Sequence, residues 1–104
     1  MYVVETVSWN AQADVSNQQM VDAVNNMLPD LKTLPGFKYQ SLSKNDAGRW
    51  VEIYYWETSE DAHRSNELMA DKVSLHNLIA LIDIDSLSIE VLLPLQESSP
   101  LNID

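Results

Sequence analysis

An α+β domain, with four antiparallel strands and two helical segments in the order βαββαβ, is the fold class this sequence predicts. Three observations predict it. Strand-type alternation recurs at "YVVETVSW" (2–9), "FKYQSLSK" (37–44), "RWVEIYYW" (49–56) and "SLSIEVLL" (86–93). Apolar residues at spacings of three and four fill the interval after the first strand, and helix-forming residues behind a Thr58/Asp61 start fill the interval after the third. The turn signal "NDAG" (45–48) joins the middle two strands directly, as a hairpin requires. At 104 residues the chain is one domain's length. A chain this size builds one core, so covering a second apolar surface calls for a partner.

The first strand has two faces, Val3/Glu5/Val7/Trp9 and Tyr2/Val4/Thr6/Ser8. Ser16 with Gln19 forms an S-x-x-Q capping box, which starts a helix whose stripe is Met20, Ala23, Val24, Met27, Leu28 and Leu31. Pro29 removes an amide donor inside that stripe and is expected to kink or divide the helix. "LPGF" (34–37) ends the helical region. A three-residue loop Asp46–Ala47–Gly48 would place Phe37 and Tyr39 with Val51, Ile53 and Tyr55, and Lys38, Gln40 and Leu42 with Trp50, Glu52, Tyr54 and Trp56. A four-residue loop would reverse the faces. Thr58 with Asp61 starts the second helical segment (59–83), with an irregularity expected near Asp71 to Ser74. Strand four is expected at 86–93, stopped by Pro94. The domain is therefore 1–94, followed by a tail at 95–104 that depends on a partner for its order.

Sixteen acidic against six basic residues give a net charge of -10, with no local Lys/Arg cluster. That balance argues against nucleic acid and against anionic membrane surfaces as partners. "MYVVETVSWN" has no basic lead-in to its apolar residues, and Asn77, Asp83 and Asp85 interrupt the longest apolar stretches, so neither a leader nor a membrane span is expected. The sequence has no cysteine, which makes the reducing cytoplasm the default location. It also lacks a glycine-rich phosphate loop, metal-ligand His/Glu spacing and a G-x-S-x-G elbow, so nucleotide cofactors and serine chemistry are not expected, nor is a bound metal.

The βαββαβ order describes a ferredoxin-like fold with both helical segments on one face of the sheet. The other face then stays open. Trp9, Trp50, Glu52, Tyr54 and Trp56 are expected on that open face, where four aromatics at about 150–250 Å² each would present roughly 600–1,000 Å² to a second copy. A two-fold homodimer of packed sheets follows.

"LPGF", "DAGRWVEIYYWETSEDA" and the strand "VVETVSW" together resemble the dimeric α/β-barrel superfamily of antibiotic-biosynthesis-monooxygenase-like proteins across residues 2–93. The resemblance implies a pocket between sheet and helices in each subunit. It also implies a cofactor-independent monooxygenase acting on a hydrophobic or aromatic small molecule. The alternative is a non-catalytic dimeric module for ligand binding or assembly. Against the haem-degrading members, His76 falls where their second helix supplies an iron ligand, while Asn66 and Thr6 replace their tryptophan and asparagine.

His76 is accordingly the candidate catalytic residue, as polar anchor or base. Thr6, Tyr39, Tyr55, Asn66 and Met69 are the candidate pocket residues, and Ser8 is placed beside them. His63, among Glu60, Asp61 and Arg64, reads as a solvated surface residue. Glu5 and Glu52 are expected near one another on the open face of adjacent central strands, where a desolvated like-charge pair would place an acid beside a base unless Lys38, Arg49 or a polar group of the partner subunit neutralises it.

Overall fold

The computed structural model describes residues 2–101. Its elements are β1 (Val3–Ala11), α1 (Asn17–Leu31), β2 (Phe37–Lys44), β3 (Trp50–Trp56), α2 (Ser59–Met69), α3 (Val73–Ile79) and β4 (Ile82–Leu92). The four strands form one antiparallel sheet in the order β2-β3-β1-β4, the expected ferredoxin-like arrangement. The central strands β1 and β3 carry the residues of the candidate site.

Local chemistry sets the boundaries. The Ser16 hydroxyl accepts from the Gln19 amide while the Gln19 side chain accepts from the Ser16 amide, so the capping box closes in both directions. The Thr58 hydroxyl accepts from the Asp61 amide and starts α2. Pro29 neither divides α1 nor ends it, because the proline lies in the last turn and leaves only the Asn25 carbonyl without its donor. Asn25 is exposed, so water can serve that oxygen. The second helical segment breaks at 70–72 into α2 and α3. Strand four begins at Ile82, four residues before the expected start, because α3 stops at Ile79.

The hairpin has the three-residue loop. The Asn45 amide donates to the Arg49 carbonyl, Gly48 takes φ +86°, and Tyr39, Ser41 and Ser43 pair with Tyr55, Ile53 and Val51. One residue departs from that register. A bulge between Phe37 and Tyr39 pairs Phe37 with Trp56 and turns its ring edge-on to the indole at 5.7 Å. Gly36, at φ +78°, lies so close to the Asp61 side chain that a Cβ there would collide with it. The glycine lets the start of α2 approach the entry to β2.

The expected assignment of faces is inverted. Trp9, Trp50, Glu52, Tyr54 and Trp56, expected at a dimer face, are buried inside the subunit with residues of all three helices. Thr6, Ser8, Tyr39 and Tyr55, expected to line the pocket, lie on the opposite, open face. Alternation fixes which residues share a face, whereas the helices choose between faces by apolar area. The face with three indoles and Val3, Val7, Leu87 and Ile89 buries more than the face with Thr6, Ser8, Ser41, Ser43 and Ser88.

Candidate functional site

A cavity of about 150 Å³ lies between the sheet and the helices. Apolar cavities of this size hold a single benzene ring. Its floor is the inner face of β1 and β3, its roof comes from residues such as Met27, Met69 and Leu78, and β4 contributes Leu87 and Ile89. Asn66, Ile79 and Ile89 are the exposed members of the lining and form its mouth.

Two carboxylates interrupt this apolar wall. Glu5 and Glu52 are each only 2% exposed. In register, Glu5 pairs with Tyr54 and Glu52 with Val7, so the two glutamates stand diagonally on neighbouring strands and on the same face. All their partners are neutral donors. Trp56 Nε1 donates to Glu5 Oε1 at 2.9 Å and Asn66 Nδ2 to Glu5 Oε2 at 3.4 Å. The Tyr54 hydroxyl and Gln40 Nε2 donate to Glu52 Oε2 at 2.8 and 2.9 Å. Neither cation anticipated from the sequence reaches the pair. Lys38 bridges to Glu57 at 2.7 Å, and Arg49 Nη2 donates to the Ser8 hydroxyl and the Ser86 carbonyl.

Burial without a counter-ion raises the cost of ionisation. Desolvation pushes Glu52 up to about 7 against the hydrogen bonds from Tyr54 and Gln40, and the charge of Glu5 adds to the rise. Glu5 is raised in the same direction by desolvation, opposed by its bonds to Trp56 and Asn66 and by His63. Burial and the neighbouring Glu52 carboxylate push the Tyr54 hydroxyl well above its ordinary value, which keeps it a donor. At neutral pH Glu52 therefore shares its population between acid and carboxylate, the condition that suits a general base.

One buried polar atom of the lining residues has no partner among the described residues. Trp9 is fully buried and lines the cavity, and among the described residues its Nε1 has no hydrogen-bond partner. Leaving a buried N–H unpaired costs about 1–3 kcal/mol. The sheet is irregular at the same place. Ser8 pairs with Ser88 but Asn10 with Asp83, so the β1/β4 register shifts across Trp9. Asn10 donates its amide to the Ser86 hydroxyl, and Arg49 holds the Ser86 carbonyl at 2.7 Å.

Of the residues expected in the pocket, the structure brings Asn66 and Met69 to the cavity. Thr6, Tyr39 and Tyr55 are excluded from it by facing the other way. His76, the expected anchor or base, lies on α3 with its ring exposed. Its Nε2 donates to the Ala70 carbonyl at 2.8 Å, and it is not among the lining residues. His63 is exposed on α2. Among the described residues no cluster of three His, Cys, Asp or Glu could hold a metal ion, and no helix is long and apolar enough to cross a membrane. Trp9 and Glu52 lie on the helix-facing side of the sheet rather than the open one, and their signal in the sequence is a charged or N–H-bearing residue within a strand's otherwise apolar set.

No protein-family model and no curated protein sequence matches the chain. Solved structures do. SnoaB from Streptomyces nogalater, a cofactor-independent oxygenase, superposes with a TM-score of 0.77 at 13% identity, covering 95% of this chain and 98% of that one. This chain shares its fold. A candidate antibiotic biosynthesis monooxygenase from Nitrosomonas europaea gives 0.73 at 13% identity with 94% of each chain covered. A second protein from that organism, of unknown function, gives 0.72 at 14% identity over 97% of this chain and 96% of its own. The fold is thus the one seen in antibiotic-biosynthesis-monooxygenase-like proteins, and the inner face of the sheet is where this sequence places its buried polar groups.

Proposed function

We propose that the protein is a cofactor-independent monooxygenase for a small hydrophobic or aromatic molecule, with Glu52 as the general base. The observation that carries this reading is the Glu5/Glu52 pair, held without a cation in the wall of an otherwise apolar, ring-sized cavity. The fold shared with a cofactor-independent oxygenase supports the choice of reaction.

The substrate suited to such a base carries an acidic CH₂ between an aromatic ring and a carbonyl. Both Tyr54 and Gln40 bond Oε2 of Glu52, which leaves Oε1 to take the proton from carbon. The carbanion formed is the reductant. It passes its electrons to O₂ and a C–O bond forms, giving a hydroperoxide once the terminal oxygen is protonated. Loss of water from the hydroperoxide breaks the O–O bond and the remaining C–H bond, so that CH₂ and O₂ become C=O and H₂O. The four electrons come from the two C–H bonds, and no external donor is required. The apolar walls keep bulk water from quenching the carbanion.

Two copies pair through the open face of the sheet. What supports this is its band of tyrosines, Tyr2 and Tyr39 on either side of Tyr55 with ring centroids 4.9 and 5.4 Å away, next to Val4, Ile53 and Leu92 on the same side. A cysteine-free chain suits a reducing cytoplasm as the place of action.

Oxygen uptake tests the reaction. With 2-indanone and no added cofactor, the protein should consume one O₂ per ketone, and Glu52→Gln should lower the rate by 100-fold or more. Ring compounds that bind without any oxygen uptake would make the protein a ligand-binding module and overturn the oxygenase reading.

A further inference from the structure

Glu52 is held by a residue that the edge strand delivers only because β2 is irregular. Phe37 pairs with Trp56 but Tyr39 pairs with Tyr55, so Lys38 is an extra residue in β2. Carried on without that insertion, the Phe37 pairing would set Gln40 opposite Ile53, on the outer face. With it, Gln40 lies opposite Tyr54 on the inner face and donates from Nε2 to Glu52 Oε2 at 2.9 Å. Lys38 itself bridges to Glu57, just past the end of β3, at 2.7 Å. Bulges beside functional sites commonly re-aim a side chain in this way.

Gln40 is half-buried and is not among the residues lining the cavity, so it reaches a ligand only through Glu52. The other donor to Oε2, the Tyr54 hydroxyl at 2.8 Å, comes from the next inward position of β3. Two donors on one carboxylate oxygen fix the orientation of the group and favour its ionised form. Among the described residues, the remaining titratable group of the lining is Glu5 on β1, whose charge opposes ionisation of Glu52, and the helices contribute none. The geometry points to Gln40 as a positioning residue for the proposed reaction: placed by the β2 bulge, its amide holds Oε2 of Glu52 so that Oε1 is the oxygen that meets the substrate carbon. The inference rests on the proposed role of Glu52 as base and deepens it. By bonding the carboxylate, Gln40 also keeps the base ionised at lower pH than burial alone would allow.

Gln40→Met tests it, since methionine keeps the length and bulk of the side chain and removes the donor. In a ¹³C titration the Glu52 midpoint should rise by about one pH unit, the effect that one hydrogen bond to a charged group supplies. A residue that merely packed would leave the midpoint where it is. With 2-indanone at pH 7, kcat for oxygen uptake should fall by about fivefold or more while KM stays unchanged, and the acidic limb of the pH–rate profile should move up with the midpoint. Should Gln40→Met fold poorly, the unaltered protein answers through the Gln40 side-chain amide, whose ¹⁵N and ¹H resonances should shift with the Glu52 midpoint. An unchanged Glu52 midpoint in Gln40→Met, or amide resonances that do not follow the titration, would overturn the role of Gln40. A raised midpoint in a protein that consumes no oxygen with the ketone would leave Gln40 as the holder of Glu52 and overturn the oxygenase reading alone.

Discussion

The two faces of the sheet carry similar numbers of aromatic rings and do different work. On the inner face Trp9, Trp50, Tyr54 and Trp56 are buried, and the polar atoms among them either bond to Glu5 and Glu52 or lack a partner. On the outer face Tyr2 stacks on Tyr55 and Tyr39 packs tilted against it in a partly exposed band that shares its side of the sheet with Thr6, Ser8, Ser41 and Ser43. The difference lies in what accompanies the rings. Indoles set among aliphatic residues bury large areas and dictate where the helices dock. Phenols set among hydroxyls tolerate water and suit a surface closed by a second copy. A carboxylate on the first face is perturbed, whereas one on the second would be hydrated.

The contrast is most easily broken by truncation. Trp56→Ala removes a fully buried indole and the donor to Glu5, and it should cost about 3–5 kcal/mol in urea unfolding, against about 1 kcal/mol for Tyr55→Ala. The next effect is electrostatic. Glu52 has its pKa raised in the folded protein, so the native state binds the extra proton. The stability this confers is complete below pH 4.5 and is lost as pH rises through about 7. Between pH 4.5 and 8 the protein should lose on the order of 3 kcal/mol, with Glu5 contributing in the same direction, and Glu52→Gln should flatten most of the slope. On the outer face, Ile53→Glu should raise the dimer dissociation constant at least tenfold in sedimentation without altering the far-UV circular dichroism of the subunit. Thr6→Val, also on that face, should change stability by no more than about 0.5 kcal/mol and leave ring-ligand affinity untouched.

Much of the fold was legible in the sequence because it depends on local patterns. The reciprocal Ser16/Gln19 cap, the Thr58 cap, the left-handed Gly48 and the period-two strands each act within a few residues, and the structure carries all of them. The pairing of Gln40 and Leu42 with Tyr54 and Glu52 was legible for the same reason, whereas the bulge at Lys38 puts Phe37 opposite Trp56 instead. The face that meets the helices was not, since period-two alternation describes both faces equally well and the choice is made by total buried area across four strands. Weighing Thr6, Ser8, Ser41, Ser43 and Ser88 against Val7, Leu42, Leu87 and Ile89 would have resolved it. The Glu5/Glu52 acid pair was legible as a pair, but its isolation from Lys38 and Arg49 depends on side-chain reach. The register shift at Trp9 has no sequence signature of its own, because no glycine or proline marks it.

The proposed reaction depends on a desolvated base on the inner face of the sheet. A ¹³C titration of the side-chain carboxyl of Glu52 tests it most directly. The expected midpoint for Glu52 is about 7, with Glu5 also above its ordinary value. A midpoint for Glu52 at the ordinary 4.5 would mean a hydrated or neutralised carboxylate, and the inner face would then contain no base poised for neutral pH.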